Sequence, residues 1–314
     1  MPLWTPLSRS RFPHERAALE YLRERFPDRE PYRAWSNLEF TGLDGSMNEV
    51  DLLLVTPRGF FLVEIKHWGG DISGDQSTWY RRENGRDYTV DNPLSLANTK
   101  AKRLKSLLQE QRRVFAGRAQ LPFIEPVIFL SNESARTHLP PIYDGKVFLR
   151  DEISDQVAVS QLFKLDASGP NRRPPIDRPT SSAIAKALDK IGLRPAPSVV
   201  KVGQLVLGDL LYDDHGYQDY EAVQEGFSGL VRRVRVFTRG RQDEPDERRI
   251  RERAARREFK LLHDLHHPNI VRATEYHDHE LGPTVVFEHV KGAQRLDANA
   301  ASRSGTAGPR PAQN

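Results

Sequence analysis

The chain has 314 residues, 29% of them charged and 38% hydrophobic, with a net charge of +4, a mean hydropathy of −0.63 and a pI of about 9.2. That length allows two domains with separate cores, and the lack of cysteine excludes disulfides, thiolate metal sites and thiol nucleophiles. The N-terminus has no apolar signal core and no apolar run approaches membrane-spanning length, so a cytoplasmic protein with no membrane partner is expected, basic enough to permit nucleic acid as a partner.

Pro13 to Phe26 reads as a first helix, opened by its proline. Glu15, Leu19, Leu22 and Phe26 are spaced by four, three and four, so they share one stripe. Glu15 is therefore the acid on the core-facing side, with Glu20 and Glu24 on other faces. A carboxylate is also favourable in any first helical turn, and both readings of Glu15 stand. Tyr32 to Phe40 is expected as a strand, and Gly42 to Ser46 as the loop after it.

Asn48 to Trp68 (NEVDLLLVTPRGFFLVEIKHW) carries two apolar runs, Val50 to Val55 and Phe60 to Lys66, around the turn Thr56-Pro57-Arg58-Gly59. With Pro57 and Arg58 at the tip, Val55 faces Phe60, Leu53 faces Leu62 and Asp51 faces Glu64. Alternation puts Glu64 and Lys66 on one face, with Asp51 across from Glu64. Two carboxylates opposed in a ladder repel each other, and a divalent cation between them reverses that sign. The plainer alternative is an ordinary Glu64–Lys66 ion pair at a strand end with Asp51 solvated.

Gly69 to Asp75 and then Trp79-Tyr80-Arg81-Arg82 read as a turn and a further strand, with Trp68 and Trp79 packing in a core or at its rim rather than stacking on bases. A helix is expected from Asp91-Asn92-Pro93 to about Phe115, with Leu94, Ala97, Ala101, Leu104 and Leu108 as its apolar stripe. Lys100, Lys102, Arg103, Lys105, Arg112 and Arg113 make it basic. They are either a solvated face or contacts to phosphates that read no sequence. Ile124 to Leu130 and Lys146 to Leu149 are two more buried strands, which completes an α/β sandwich around a mixed sheet. Asp166 to Pro179 reads as a Pro/Gly-rich linker and Ser181 to Ile191 as a short helix, together a linker region over 166–201 in which Pro195-Ala196-Pro197 closes the first unit.

Asp51, twelve residues, then Glu64-Ile65-Lys66 resembles the D-(x)n-E-x-K core of the PD-(D/E)XK nuclease superfamily. The longer string VDLLLV…GFFLVEIKHWGG…W resembles the nuclease-related domain, NERD. The resemblance implies an α/β fold over residues 1–165, a mixed sheet flanked by helices. It further implies Mg²⁺ (or Mn²⁺) held by Asp51 and Glu64, Lys66 as the catalytic lysine, Glu15 as an assisting acid, and DNA bound without sequence preference. One position departs from the pattern: where the family usually has glutamine three residues after the Asn-Pro proline, this chain has Leu96, with Lys100 one turn on.

From Val202 the text changes. Val202 to Leu211 looks like a strand, and Gly226 and Gly229 have the spacing of the last two glycines of a kinase Gly-rich loop. Arg248 to Leu265 is a helix, and REFKLLHDLHHPNIV resembles the αC helix and following loop of Ser/Thr protein kinases. Glu258 then matches the glutamate that pairs a strand-three lysine. Thr284 to Val290 resembles the fifth strand and hinge, with Phe287 as gatekeeper, Glu288 as hinge residue and Asp297 as a ribose contact. His266-His267-Pro268 fits this loop, so zinc is set aside. The resemblance implies a partial kinase N-lobe (α+β) over 202–298 with ATP as its cofactor, followed by a low-complexity tail, 299–314. No lysine ends strand three, where Arg232, Arg233 and Arg235 are the available cations. Neither H-R-D nor D-F-G occurs in the 314 residues. NERD joined to a kinase lobe resembles proteins of bacterial phage-growth-limitation defence, which implies other defence proteins as partners. The alternative functions are a regulatory part of a longer Ser/Thr kinase and a non-catalytic nucleic-acid-binding module. The second unit is expected to lie far from the Asp51 cluster.

Overall fold

The computed structural model describes residues 3–10, 12–115, 120–154, 157–164, 174–196, 200–214, 216–227, 229–239 and 245–290. Most of the 166–179 stretch, Asp297 and the 299–314 tail lie outside them.

The chain opens with β1 (Trp4–Pro6), α1 (Pro13–Arg25), β2 (Arg33–Thr41), β3 (Met47–Thr56) and β4 (Gly59–Lys66). Pro13 starts α1 with Glu15 in its first turn, and the helix buries Ala18, Leu19, Tyr21 and Leu22. Next come β5 (Gly70–Gly74), β6 (Thr78–Glu83), β7 (Arg86–Asp91) and α2 (Pro93–Gln109). Asn92 caps α2 by accepting from the Leu94 N–H. The helix stops at Gln109, short of the expected Phe115, and Arg112–Phe115 is a 3₁₀ turn. Then follow β8 (Ile124–Leu130), β9 (Ala135–His138), β10 (Val147–Leu149), α3 (Arg178–Ile191) and β11 (Arg194–Pro195).

The main sheet runs β1-β2-β3-β4-β8-β10, with β11 also on β2. Its β2-β3-β4 part is antiparallel, and β4-β8-β10 is parallel, so the sheet is mixed. One face packs on α1, through Leu52, Leu54, Phe61 and Val63. The other packs on α2 and α3, through Leu53, Val55, Phe60 and Leu62 against Ala97, Leu104, Ile184 and Leu188.

Two expectations change here. First, α3 and β11 belong to the first domain rather than to a linker, because Ile184, Ala187 and Leu188 are fully buried in its core and β11 pairs with β2. Second, the glycine-rich stretch after Trp68 builds a separate sheet, β7-β6-β5-β9, instead of extending the main one. Trp79 is the fully buried anchor of that sheet, edge-on to Trp68 and Tyr143.

The second unit comprises β12 (Lys201–Val202), β13 (Leu205–Asp214), β14 (Tyr217–Gln224), β15 (Val231–Phe237), α4 (Pro245–Asp264), β16 (Ala273–His279) and β17 (Gly282–Glu288). Its sheet is antiparallel, in the order β12-β13-β14-β15-β17-β16. The helix α4 enters between β15 and β16 and packs Ala255, Phe259 and Leu262 on Phe237, Val285 and Phe287. One helix between the third and fourth strands of a five-strand core is the plan of a kinase N-lobe. The fold is therefore α/β with a mixed sheet, followed by an α+β kinase-like lobe.

Candidate active site

The β3–β4 ladder runs from Thr56↔Gly59 through Val55↔Phe60 and Leu53↔Leu62 to Leu52↔Val63. This is the register that Pro57 and Arg58 at the tip require. It brings Asp51 level with Glu64, and here the ladder changes character. The Ile65 N–H, instead of bonding across to β3 backbone, donates to Asp51 Oδ2 at 2.6 Å. Asp51 thus turns into the plane of the sheet, toward β4.

β2 is irregular at the same level. Ser36 pairs with Leu52 and Leu38 with Val50, so Asn37 stands opposite Asp51. Asn37 has φ 53°, a left-handed conformation that asparagine tolerates. Its amide donates to Ser8 O at 2.9 Å, and Ser8 Oγ donates to Asn37 O at 3.0 Å. Both strands change faces at this point. Ala34, Leu52 and Leu54 belong to the α1 side, yet Leu38 and Val50, which strict alternation would send there too, belong to the α2 side.

Glu64 faces α2. Its Oε1 accepts from Lys100 Nζ at 2.7 Å, and both side chains are largely buried. Lys66, half-buried, has no hydrogen bond or ion pair among the described residues, though its charge favours the ionised form of Asp51. Glu15 accepts from Ser10 Oγ at 2.6 Å and adds its negative charge near Asp51. Burial, and then the charges of Glu64 and Glu15, hold the Asp51 carboxyl well above the usual carboxylate range, against the pull of Lys66 and Lys100. Burial works against the Lys100 ammonium, but Glu64, Asp51 and the bond to Glu64 outweigh it and hold its pKa above the ordinary lysine value. Asp51, Glu64, Lys66 and Glu15 are thus brought together, and Lys100 joins them. Its place in the apolar stripe of α2, three residues after Ala97 and one before Ala101, is the signal for a buried lysine.

The nuclease-related domain (NERD) family model matches residues 10–131. Residues 10–131 are a NERD domain. The chain is also 35% identical, over 298 residues, to "Probable kinase PglW" of Streptomyces coelicolor; the match covers 94% of this chain and 18% of that protein's length. Among solved structures, the PknI kinase domain of Mycobacterium tuberculosis matches with 20% identity and a TM-score of 0.28 over 37% of this chain and 43% of that one. Rad53 1-466 in complex with AMP-PNP matches with 18% identity and a TM-score of 0.24 over 31% of this chain and 24% of that one. The NERD match ends at β8, and the packed domain continues through β10, α3 and β11.

Beyond the NERD domain, Glu258, expected to match the glutamate that pairs a strand-three lysine, accepts instead from Arg235 Nη1 at 2.6 Å. Asp219, fully buried, accepts from Arg235 Nε at 2.7 Å and Nη2 at 2.9 Å and also pairs with Arg233. Phe287 is buried opposite Arg233, and Glu288 is exposed at the end of β17 opposite Arg232. Gly226 and Gly229 do not form the nucleotide-covering loop expected of them. They lie in the β14–β15 hairpin, whereas a kinase-type lobe uses the hairpin between its first two strands. That hairpin is β13–β14, which holds Gly216.

The second unit is not remote from the NERD domain site either. Glu15 and Glu49 line a cleft of about 50 Å³ together with Val200, Leu207, Gly208 and Tyr220. The pattern of glycine and proline separating the units carries no sign of this contact, because it brings together residues far apart in the sequence, from α1 and β3 on one side and from Val200, β13 and β14 on the other.

Proposed function

We propose that the NERD domain hydrolyses phosphodiester bonds of nucleic acid with Mg²⁺ (or Mn²⁺) held by Asp51 and Glu64. The observation that carries this reading is Asp51 turned out of its ladder onto the Ile65 N–H, level with Glu64 and within the influence of the Lys66 and Lys100 charges. Such a concentration of like charge destabilises a fold unless something is gained by it.

The donor set fits the cation. Every donor is a carboxylate oxygen, the hard ligand that Mg²⁺ prefers. Asp51 Oδ2 and Glu64 Oε1 are engaged, and Asp51 Oδ1 and Glu64 Oε2 carry no hydrogen bond among the described residues. No group of three or more His, Asp or Glu side chains encloses a metal position among the described residues. The proposed site therefore rests on two carboxylates, a number Mg²⁺ can use when water and phosphate complete its shell. Bound there, the cation would polarise the phosphodiester and acidify a water. Lys66 supplies an ammonium that orients the attacking water and stabilises charge on the phosphoryl oxygens. Lys100 fixes the orientation of Glu64, and Glu15 assists as a further acid at the rim. Exposed Lys102, Arg112 and Arg113 on and beyond α2 offer phosphate contacts that read no sequence, so binding to DNA should weaken with salt.

Calorimetric titration with Mn²⁺ tests the site directly. The wild type is expected to bind and Glu64→Gln to bind at least about tenfold more weakly; equal affinities would remove Glu64 as a ligand. A second reading, a nucleic-acid-binding module without hydrolysis, is favoured by the Lys100 ammonium, which puts a positive charge on Glu64 already. Wild type that binds DNA but no Mn²⁺ would select it.

The pH dependence follows from Asp51. Its carboxyl must be ionised to hold a cation, and burial, with the charges of Glu64 and Glu15, keeps it protonated to higher pH than usual. Cleavage is therefore expected to fall as pH drops through that raised value. Glu15→Gln removes one repelling charge and should move this acid limb to lower pH in a kcat/KM profile. A limb that stays or moves upward contradicts the assignment.

The setting we propose is bacterial phage defence with other defence proteins as partners, supported by the resemblance to such proteins and by the 35% identity to the PglW protein. Kinase activity belongs to the longer relative's name. In this chain Arg235 and Arg233 crowd the strand-three position, so we propose a regulatory rather than phosphoryl-transferring role for the lobe.

A further inference from the structure

The β13–β14 hairpin has two working faces. Toward α4 it presents Asp219 and Tyr217, which hold Arg235. Toward the NERD domain it presents Asp213, Gln218 and Tyr220. Arg103 on α2 makes a two-pronged pair with Asp213, with Nη2 at 2.8 Å from Oδ1 and Nη1 on Oδ2. The same guanidinium donates to Asp44 Oδ2 at 3.0 Å. Gln218 pairs with the backbone of Met47, accepting from its N–H at 3.2 Å and donating to its carbonyl at 3.0 Å. Tyr220 OH donates to Gln218 Oε1 at 2.9 Å and fixes which way that amide points. These contacts are buried: the Asp213 side chain is 1% exposed, that of Arg103 12%, and Gln218 is 1% exposed.

These contacts fall on the two elements that deliver the site. Arg103 stands three residues after Lys100, so the two share a face of α2. Met47 begins β3, the strand that carries Asp51. We propose that the β13–β14 hairpin is a built-in wall of the NERD domain site, and that Arg103, Asp213 and Gln218 are positioning residues. They hold α2 so that Lys100 meets Glu64, and β3 so that Asp51 meets the Ile65 N–H. The catalytic consequence rests on the nuclease reading; the interface itself does not.

The experiment uses the full chain, as wild type, Asp213→Asn, Gln218→Ala, Arg103→Met and Arg103→Lys, with Glu225→Gln as control. Glu225 pairs with Lys201 in the exposed part of the second unit. Thermal melting is expected to show one cooperative transition for wild type and control, and two for Asp213→Asn and Arg103→Met. Cleavage of DNA with Mg²⁺ should lose about 10–100-fold in kcat for those two variants, as for other groups that orient a metal site's ligands. KM for DNA should be unchanged, and Arg103→Lys should recover part of the loss. A two-step melt of the wild type, or Asp213→Asn cleaving and melting like wild type, overturns the proposal. Wild type that melts in one step yet cleaves nothing upholds the interface and removes the nuclease reading, so the two failures are distinct.

Discussion

Asp51→Asn is expected to abolish Mg²⁺-dependent cleavage while raising the melting temperature at neutral pH. The loss of activity should reach at least about 10²–10³-fold, the scale for removing one charge-stabilising group from a preorganised site. The gain in stability follows from linkage. Asp51 has a folded pKa raised by burial and by Glu64 and Glu15. A raised folded value means its favourable contribution is complete only below its unfolded pKa. That contribution disappears as pH climbs through the folded value, so toward neutral pH the buried carboxyl works against folding. Asparagine keeps an oxygen for the Ile65 N–H and discards the charge. The difference in melting temperature between variant and wild type should therefore shrink as pH is lowered toward the unfolded carboxylate range. An asparagine variant that is inactive but less stable at neutral pH would mean that Asp51 serves the fold.

Lys100→Met is expected to have the opposite stability sign. Removing one partner of a buried ion pair leaves the other uncompensated, at a cost of about 3–5 kcal/mol. Lys100 and Glu64 are both largely buried and 2.7 Å apart. The folded pKa of Lys100 is raised, so its contribution is fully present at neutral pH and is lost only above the ordinary lysine range. Added Mg²⁺ should restore part of the loss, because a cation on Glu64 then replaces the ammonium, and ligand binding stabilises the folded state. Thermal melts of wild type and variant, each with and without Mg²⁺, read this directly. The Mg²⁺-induced rise should be larger in the variant. Equal rises, or a variant as stable as wild type without metal, would separate Lys100 from the cation site.

The hairpin was legible in the sequence because local rules determine it. One turn fixed the pairing of Val55 with Phe60 and Leu53 with Leu62, and the spacing of Glu15, Leu19 and Leu22 placed an acid at the start of α1 facing inward. The in-plane turn of Asp51 was not legible. It coincides with Asn37, a residue of another strand in a left-handed conformation, and pairwise alternation carries no information about that. Lys100 read as one of several cations on a basic helix because its burial depends on Glu64, 36 residues away. The same distance effect hid the role of α3: a short helix after a proline-rich run looks like part of a linker until β11 is seen to pair with β2. Gly226 and Gly229 matched a spacing, but a Gly-rich loop is defined by which hairpin carries it, and that required the strand order.

The central claim is that Asp51, Glu64 and Lys66 form a metal-dependent hydrolytic site, and incubation of the purified chain with closed circular, linear and single-stranded DNA tests it most directly. With Mg²⁺ or Mn²⁺ present, wild type is expected to cut at least one of these forms, EDTA to stop it, and Lys66→Ala to slow it by about 10²–10³-fold. Wild type that leaves all three forms intact with either metal, or a Lys66→Ala variant that cuts as fast as wild type, would contradict the account.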